Sequence, residues 1–187
     1  MELDKAIQNR HCVRKFNPKK KPDWRDIIEA IDSARYAPMA GGNYTLKFIV
    51  VSDEDKINKI AEACQQQFIA QVKYIVVVCS NPSRPSNLYG KESAKIWTRQ
   101  QAGAAMQNFF LKIIESGLST CWVGYFVEEQ IKRELKIPDN IDIEAIFPIG
   151  YEKEKARTRK AKIDLDRILY FDSYGNVKMD KPEKRVY

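Results

Sequence analysis

The chain has 187 residues, 44% of them hydrophobic and 30% charged, with a formal net charge of +7. That length suits one well-packed domain, and the composition excludes a disordered chain. It also excludes a membrane-embedded one, because no apolar run approaches the roughly 20 residues that a spanning helix needs.

From the N-terminus, MELDKAIQNR is charged and lacks an apolar signal core, so a cytoplasmic location is expected. Leu3, Ala6 and Ile7 predict a short helix over residues 3–9. It leads into Arg10-His11-Cys12-Val13-Arg14-Lys15-Phe16, where two arginines stand four apart. In a compact backbone both guanidinium groups converge on one anion, whose oxygens their planar forks match. The other reading is a solvated basic face.

Residues 17–23 form a lysine-rich connector with Pro18 and Pro22. Asp23 is a candidate N-cap for a helix carrying Trp24, Ile27, Ile28, Ile31 and Ala34 to about Tyr36. The loop APMAGGNY (37–44) follows, then a buried strand over Lys47–Val51. Residues 54–70 read as helix, Tyr74–Cys79 as a second buried strand and Asn81–Ser86 as a loop. A long helix spans about Glu92–Ser116, and between Ala102 and Ile114 its only charged residue is Lys112. A helix apolar on every face needs partners all round, so it is either an intersubunit helix or a central intramolecular one.

Gly117 ends that helix. Leu118–Phe126 is strand-like, Glu128–Leu135 a short helix and Ile141–Ile149 a further strand. After Tyr151 the chain turns basic, with six Lys or Arg among the ten residues 153–162. The tail holds an apolar run, Ile168–Phe171, and a turn at Ser173–Asn176. The pattern is one domain over residues 1–187 with a C-terminal arm from about 152. Its helices separate and outnumber its strands, which points to an α/β or α+β layered sandwich with helices on both faces of a sheet.

No GxGxxG, GxxxxGK[ST], GxSxG or HExxH motif is present. The four cysteines (Cys12, Cys64, Cys79, Cys121) are scattered without a CxxC pair, and His11 is the single histidine. They read as structural thiols, and no metal site is expected. The basic clusters, Lys19–Lys21 and residues 153–162, do not interleave with aromatics as a nucleic-acid stacking platform does. The charge therefore points to anionic small ligands, with neither nucleic acid nor membrane as partner. An anion site without a nucleophile fits a bound organic cofactor that carries the chemistry itself.

Four segments, in order, resemble the nitroreductase-like flavoproteins. Arg10–Phe16 is similar to the family's opening Arg-Arg/His-Ser-x-Arg-x-Phe, with Cys12 in place of the serine. APMAGGNYTLKFIVV (37–51) resembles its Ala-Pro-Ser-x-x-Asn-x-Gln-Pro-Trp loop entering a strand, with Met39 for serine and Tyr44-Thr45-Leu46 for Gln-Pro-Trp. GLSTCWVGYF (117–126) resembles Gly-Leu-Gly-Thr-Cys-Trp-x-Gly-x-Phe, and PIGYEKEKARTRK (148–160) resembles Pro-x-Gly-Tyr followed by a basic run.

The resemblance implies a three-layer α/β/α sandwich with a mixed or antiparallel central sheet, in an intertwined homodimer whose C-terminal arm extends toward the partner subunit. It implies FMN as bound cofactor and NAD(P)H as reductant, with ping-pong hydride transfer through flavin N5 to a small organic acceptor, nitroaromatic- or quinone-like. Carried over by position, Arg10, His11, Cys12 and Arg14 contact the flavin's phosphate, ribityl chain and pyrimidine edge, and Arg157 and Arg159 complete the phosphate clamp. Met39, Ala40, Gly41 and Gly42 border the ring from the partner subunit, and Asn43 serves there through a one-residue shift. The backbone of Val123, Gly124 and Tyr125 approaches N5. Tyr44, Phe68 and Tyr125 are candidates to line a substrate pocket or to pack, and Trp122 and Phe126 to be core or stacking residues. No side chain is expected to act as acid or base. The alternatives are a non-catalytic flavin-binding module (a sensor or sequestering protein) and, further off, a basic nucleic-acid-binding protein.

Overall fold

A computed structural model describes residues 2–154 and 163–179. Its sheet is antiparallel throughout, in the order β1 (Leu46–Val51), β2 (Tyr74–Ser80), β4 (Asp142–Gly150), β3 (Ser119–Thr120). Every residue of β2 is buried, which is why its sequence is a continuous apolar run rather than an alternating one.

Alternate residues of β2 point to opposite faces and seed two separate cores. Ile75, Val77 and Cys79 pack with α3 (Glu54–Ala63) and α6 (Glu128–Leu135) through Ile57, Ile60 and Ile131. Tyr74, Val76 and Val78 pack with α2 (Trp24–Ala34) and α5 (Lys91–Glu115) through Ile27, Ala30, Met106 and Phe109. Helices therefore cover both faces, the α+β sandwich expected from the sequence. Between Val78 and Cys79 the register slips by one residue, so Glu144 of β4 bulges out and accepts a hydrogen bond from Ser80 Oγ at 2.6 Å.

The helix ends follow local chemistry. Asp23 caps α2 by accepting from the Arg25 amide at 2.9 Å, and Asp53 caps α3 by accepting from Lys56 at 3.0 Å. Gly117, at φ 79°, closes α5, its amide bonding Ile114 O and that of Leu118 bonding Ile113 O. In α5, Ala102, Ala105, Met106, Phe109, Phe110 and Ile113 are buried within the chain itself, while Gly103, Ala104, Gln107 and Leu111 stay partly open.

Three sequence expectations need correction. The helix expected over 54–70 stops at Ala63, because Gln65 takes a left-handed conformation (φ 54°) and a separate 3-10 turn covers Gln67–Gln71. The loop expected over 81–86 is largely α4 (Ser83–Tyr89). Pro85 sits in its first turn, where amides have no intrahelical acceptor, so the proline costs nothing there. The strand-like stretch 118–126 pairs as a strand only at Ser119–Thr120, with an isolated bridge from Val123 to Ile146.

The chain divides into two units, Met1–Ala156 and Arg157–Tyr187. Within the second, a 3-10 turn covers Leu165–Arg167, and the amide of Phe171 bonds Asn176 O at 2.8 Å around the turn predicted at Ser173–Asn176. The Tyr170 and Tyr174 rings lie 4.9 Å apart. No helix among the described residues is long and apolar enough to cross a membrane.

Candidate functional site

The short helix α1 (Leu3–Asn9) ends at Arg10, whose amide bonds Ala6 O at 3.0 Å, and the chain then runs extended along the sheet margin. Two anchors fix this run. Val13 is buried in the α3/α6 core while its amide bonds Thr120 O at 3.0 Å. Phe16 is buried in the same core, and its amide bonds Gln71 Oε1 at 3.0 Å. With Val13 directed to one face, Cys12 falls to the other, against the α2/α5 core, and Arg14 is exposed.

The Arg10 guanidinium lies over the Phe110 ring of α5, 5.3 Å from its centroid. Neither Arg10 nor Arg14 has a carboxylate partner among the described residues, whereas Arg25 and Arg35 are each paired with a nearby aspartate. His11 is pinned at both ring nitrogens, Nδ1 2.7 Å from Asn9 O and Nε2 3.2 Å from Glu152 Oε1. It faces away from Cys12, so the adjacent residues form no Cys–His pair. Glu152 was not singled out in the sequence; it is placed by the Phe16–Glu152 bridge.

The second segment of the site follows β3. Val123 exchanges two backbone hydrogen bonds with Ile146, both at 3.0 Å. Its amide is therefore committed to the sheet. The next two amides, of Gly124 and Tyr125, donate to no described residue, and both residues are exposed. Any backbone donation to a ligand from this stretch falls to them. The Trp122 ring leans on Phe147 with centroids 5.5 Å apart.

Between the two segments the Cys12 thiol is lowered to about 5. The Cys121 thiol hydrogen bonding to it is the largest cause, followed by the Trp122 amide and the positive charges of Arg10 and Arg14, against an opposing effect of burial. Cys121, buried, is correspondingly pushed up. Both arginines thus favour an anion at the Cys12 position.

The glycine loop lies elsewhere. Residues Ala40–Gly42 make a 3-10 turn with Gly41 at φ 56° and Gly42 at φ 69°. Asn43 is buried, and its Nδ2 donates back to Gly41 O at 3.0 Å, so its side chain staples its own turn. Gln101, buried in α5, accepts from the Thr45 amide at 2.9 Å and from Thr45 Oγ1 at 2.6 Å. Tyr89 closes over Gly41, where an added Cβ would collide with the phenol. We expect Gly41→Ala to cost about 1–3 kcal/mol from the left-handed φ and the displaced ring. A thermal melt within 1 °C of the parent would contradict that placement.

Met39 is exposed and borders a cleft of about 330 Å³ with Pro38, Ala40, Trp97 and Gln100. This loop packs beside Trp97 and Gln101, whereas the arginine segment packs beside Phe110. The nine helical steps of α5 from residue 101 to residue 110 separate them by about 13.5 Å along the axis. Within one chain the glycine loop and Arg10 thus pack at different levels of α5.

The three aromatic pocket candidates are also dispersed. Tyr44 packs on the α2/α5 side and Phe68 on the α3/α6 side, stacked on Phe16 at 6.4 Å, so the sheet lies between them. Tyr125 is exposed. Phe126 packs against the α3/α6 core. Arg157 and Arg159 lie outside the described residues. A groove of about 850 Å³ between α1, α2 and α5, lined by Leu3, Ile28, Tyr36 and Leu111, contains none of the predicted site residues.

A family model described as the nitroreductase family matches residues 7–81 and 64–151. A protein of Archaeoglobus fulgidus, provisionally named NADH dehydrogenase/NAD(P)H nitroreductase, is 28% identical over 174 residues, covering 89% of this chain and 96% of its own length. A solved nitroreductase family protein from Clostridium novyi NT is 29% identical with a TM-score of 0.75, covering 94% of this chain and 96% of that one. The NADPH:FMN oxidoreductase of Vibrio harveyi, solved in complex with NAD+, shares the fold at a TM-score of 0.80 and 16% identity, covering 92% of this chain and 77% of that one.

Proposed function

Because the chain belongs to the nitroreductase family, we propose that it is an FMN-dependent NAD(P)H oxidoreductase acting on a small organic acceptor. The observation that carries this reading is the arginine pair. Arg10 and Arg14 have no carboxylate partner among the described residues and both favour the anionic form of the Cys12 thiol between them in sequence, on the segment that packs near the two uncommitted amides of Gly124 and Tyr125. That donor set suits a phosphate monoester and the electron-rich edge of a ring, the two ends of FMN.

The chemistry that FMN supplies when bound is a hydride relay through its N5 atom, from NAD(P)H to a nitroaromatic- or quinone-like acceptor in ping-pong order. The chain supplies the grip and the polarity. Arg10 and Arg14 would hold the phosphate. His11, held by Asn9 and Glu152, presents a fixed ring edge, and Cys12 stands at the ribityl side. Gly124 and Tyr125 donate toward the ring from a backbone that Val123 locks to β4. Fixed amides of this kind stabilise negative charge without titrating, so no acid or base residue is needed.

Met39, Ala40, Gly41, Gly42 and Asn43 complete the site from a second copy of the chain. Support comes from the separation along α5 and from the partly open Gly103, Ala104, Gln107 and Leu111 face, where Gly103 and Ala104 are small enough to allow close helix approach. Tyr44, Phe68 and Tyr125 remain the aromatic candidates for the acceptor pocket, and a pocket using Tyr44 with Phe68 also needs that second copy.

The test is spectroscopic. We expect the purified protein to be yellow or to take up added FMN stoichiometrically, and the flavin band to bleach anaerobically under NADH or NADPH and return with a quinone. A colourless protein that refuses FMN overturns the reading. A yellow protein that neither nucleotide bleaches assigns it instead to flavin binding without turnover.

A further inference from the structure

Two cysteines far apart in sequence meet at the margin of the sheet. The bond from the Val13 amide to Thr120 O lays residues 12–13 along residues 120–122, at the roughly 5 Å spacing of hydrogen-bonded strands. That spacing falls within the Cα separation of about 4.4–6.8 Å that a disulfide requires. Each sulfur is the largest influence on the other's ionisation, and the Cys121 thiol also lies 3.9 Å from the Trp122 carbonyl oxygen. Cys12 is half-buried and reachable from solvent, whereas Cys121 is 1% exposed.

We propose that Cys12 and Cys121 form a reactive dithiol, with Cys12 the attacking sulfur and Cys121 the resolving one, that is converted to an intramolecular disulfide by exchange with small-molecule disulfides. The Cys12 thiolate attacks one sulfur of R–S–S–R, that S–S bond breaks, and RS⁻ leaves with the electron pair. The Cys121 thiol then attacks the Cys12 sulfur of the mixed disulfide and passes its proton to the second departing RS⁻. Two protein thiols are oxidised and one disulfide is reduced to two thiols.

Reactivity is confined to this pair. Cys64 and Cys79 are buried, and burial pushes them up to about 12 and about 11, so they are protonated and shielded at neutral pH. At Cys12 the thiolate is instead held by the Cys121 thiol, the Trp122 amide and the guanidinium groups of Arg10 and Arg14. Disulfide formation removes a titratable thiol from beside the two arginines. The exchange itself needs no flavin, and its test is independent of the flavin reading.

The experiment exposes the full chain to 2-hydroxyethyl disulfide, once as purified and once after bound small molecules are removed by dialysis. Free thiols are then blocked under denaturing conditions and the protein is analysed by intact mass and peptide mapping. We expect two of the four thiols to disappear in the stripped protein, the mass to fall by two hydrogens, and one peptide pair to join Cys12 to Cys121. Cys121→Ser stops at a reductant-sensitive mixed disulfide on Cys12. Retention of all four thiols in both arms overturns the proposal, as does an adduct on Cys64 or Cys79 in preference to Cys12. The parent protein alone decides the matter if the variant does not fold.

Discussion

Arg14→Ala is expected to weaken FMN binding at least tenfold, and the Arg10→Ala, Arg14→Ala double variant at least a hundredfold, measured by quenching of flavin fluorescence on titration. A hydrogen bond to a charged group contributes about 1.5–3 kcal/mol, and each 1.4 kcal/mol is a factor of ten. Arg14 is exposed and carries no packing load. Its removal should therefore leave the melting temperature within about 1–2 °C of the parent, a surface change of at most about 0.5 kcal/mol. Arg10 differs, because its guanidinium also sits on Phe110. The double variant loses that contact as well, worth about 0.5–1 kcal/mol at a partly exposed site. Unchanged FMN affinity in Arg14→Ala removes that residue from the phosphate site.

Phe147→Ala is expected to give the largest loss of stability. Phe147 is fully buried on β4, with its ring 5.2 Å from Phe109, 6.1 Å from Phe110 and 5.5 Å from Trp122. Truncating such a ring costs about 3–5 kcal/mol, because the cavity cannot collapse between a sheet and a long helix. For a chain of this size that lowers the melting temperature on the order of 10 °C. The same ring supports both halves of the candidate site, Phe110 beneath Arg10 and Trp122 beside Cys12. Thermal unfolding followed by circular dichroism checks the prediction, and a fall of less than about 2 °C would mean that Phe147 is not a keystone of this core.

Local patterns in the sequence carried the sheet and helix inventory unevenly. Apolar runs marked β1, β2 and β4, and glycine marked the end of α5, because burial and left-handed conformation are written in single residues. The α4 helix was hidden by its prolines, since a breaker in a helix interior is harmless in a first turn. Gln65 hid the end of α3, because nothing in its side chain announces a positive φ. At the candidate site, Arg10, His11, Cys12 and Arg14 share one short segment, so their closeness was legible. Their meeting with Cys121 and Trp122 was not, because it depends on β3 docking against β4 and on one backbone bond between Val13 and Thr120. The scattered cysteines looked structural for that reason. Gln101 and Tyr89 were missed because each acts on the glycine loop from a distant helix.

The strand order β1–β2–β4–β3 also governs how the chain comes together during synthesis. β2 meets β1 after a short excursion, but its other neighbour, β4, begins only at Asp142. While residues 81–141 are being translated, Tyr74–Ser80 waits with one edge unpaired and no polar residue before Ser80 to protect it. Closing so distant a pairing slows folding and leaves time for wrong partners. Nascent or truncated chains that stop before Asp142 are therefore the species most prone to aggregate.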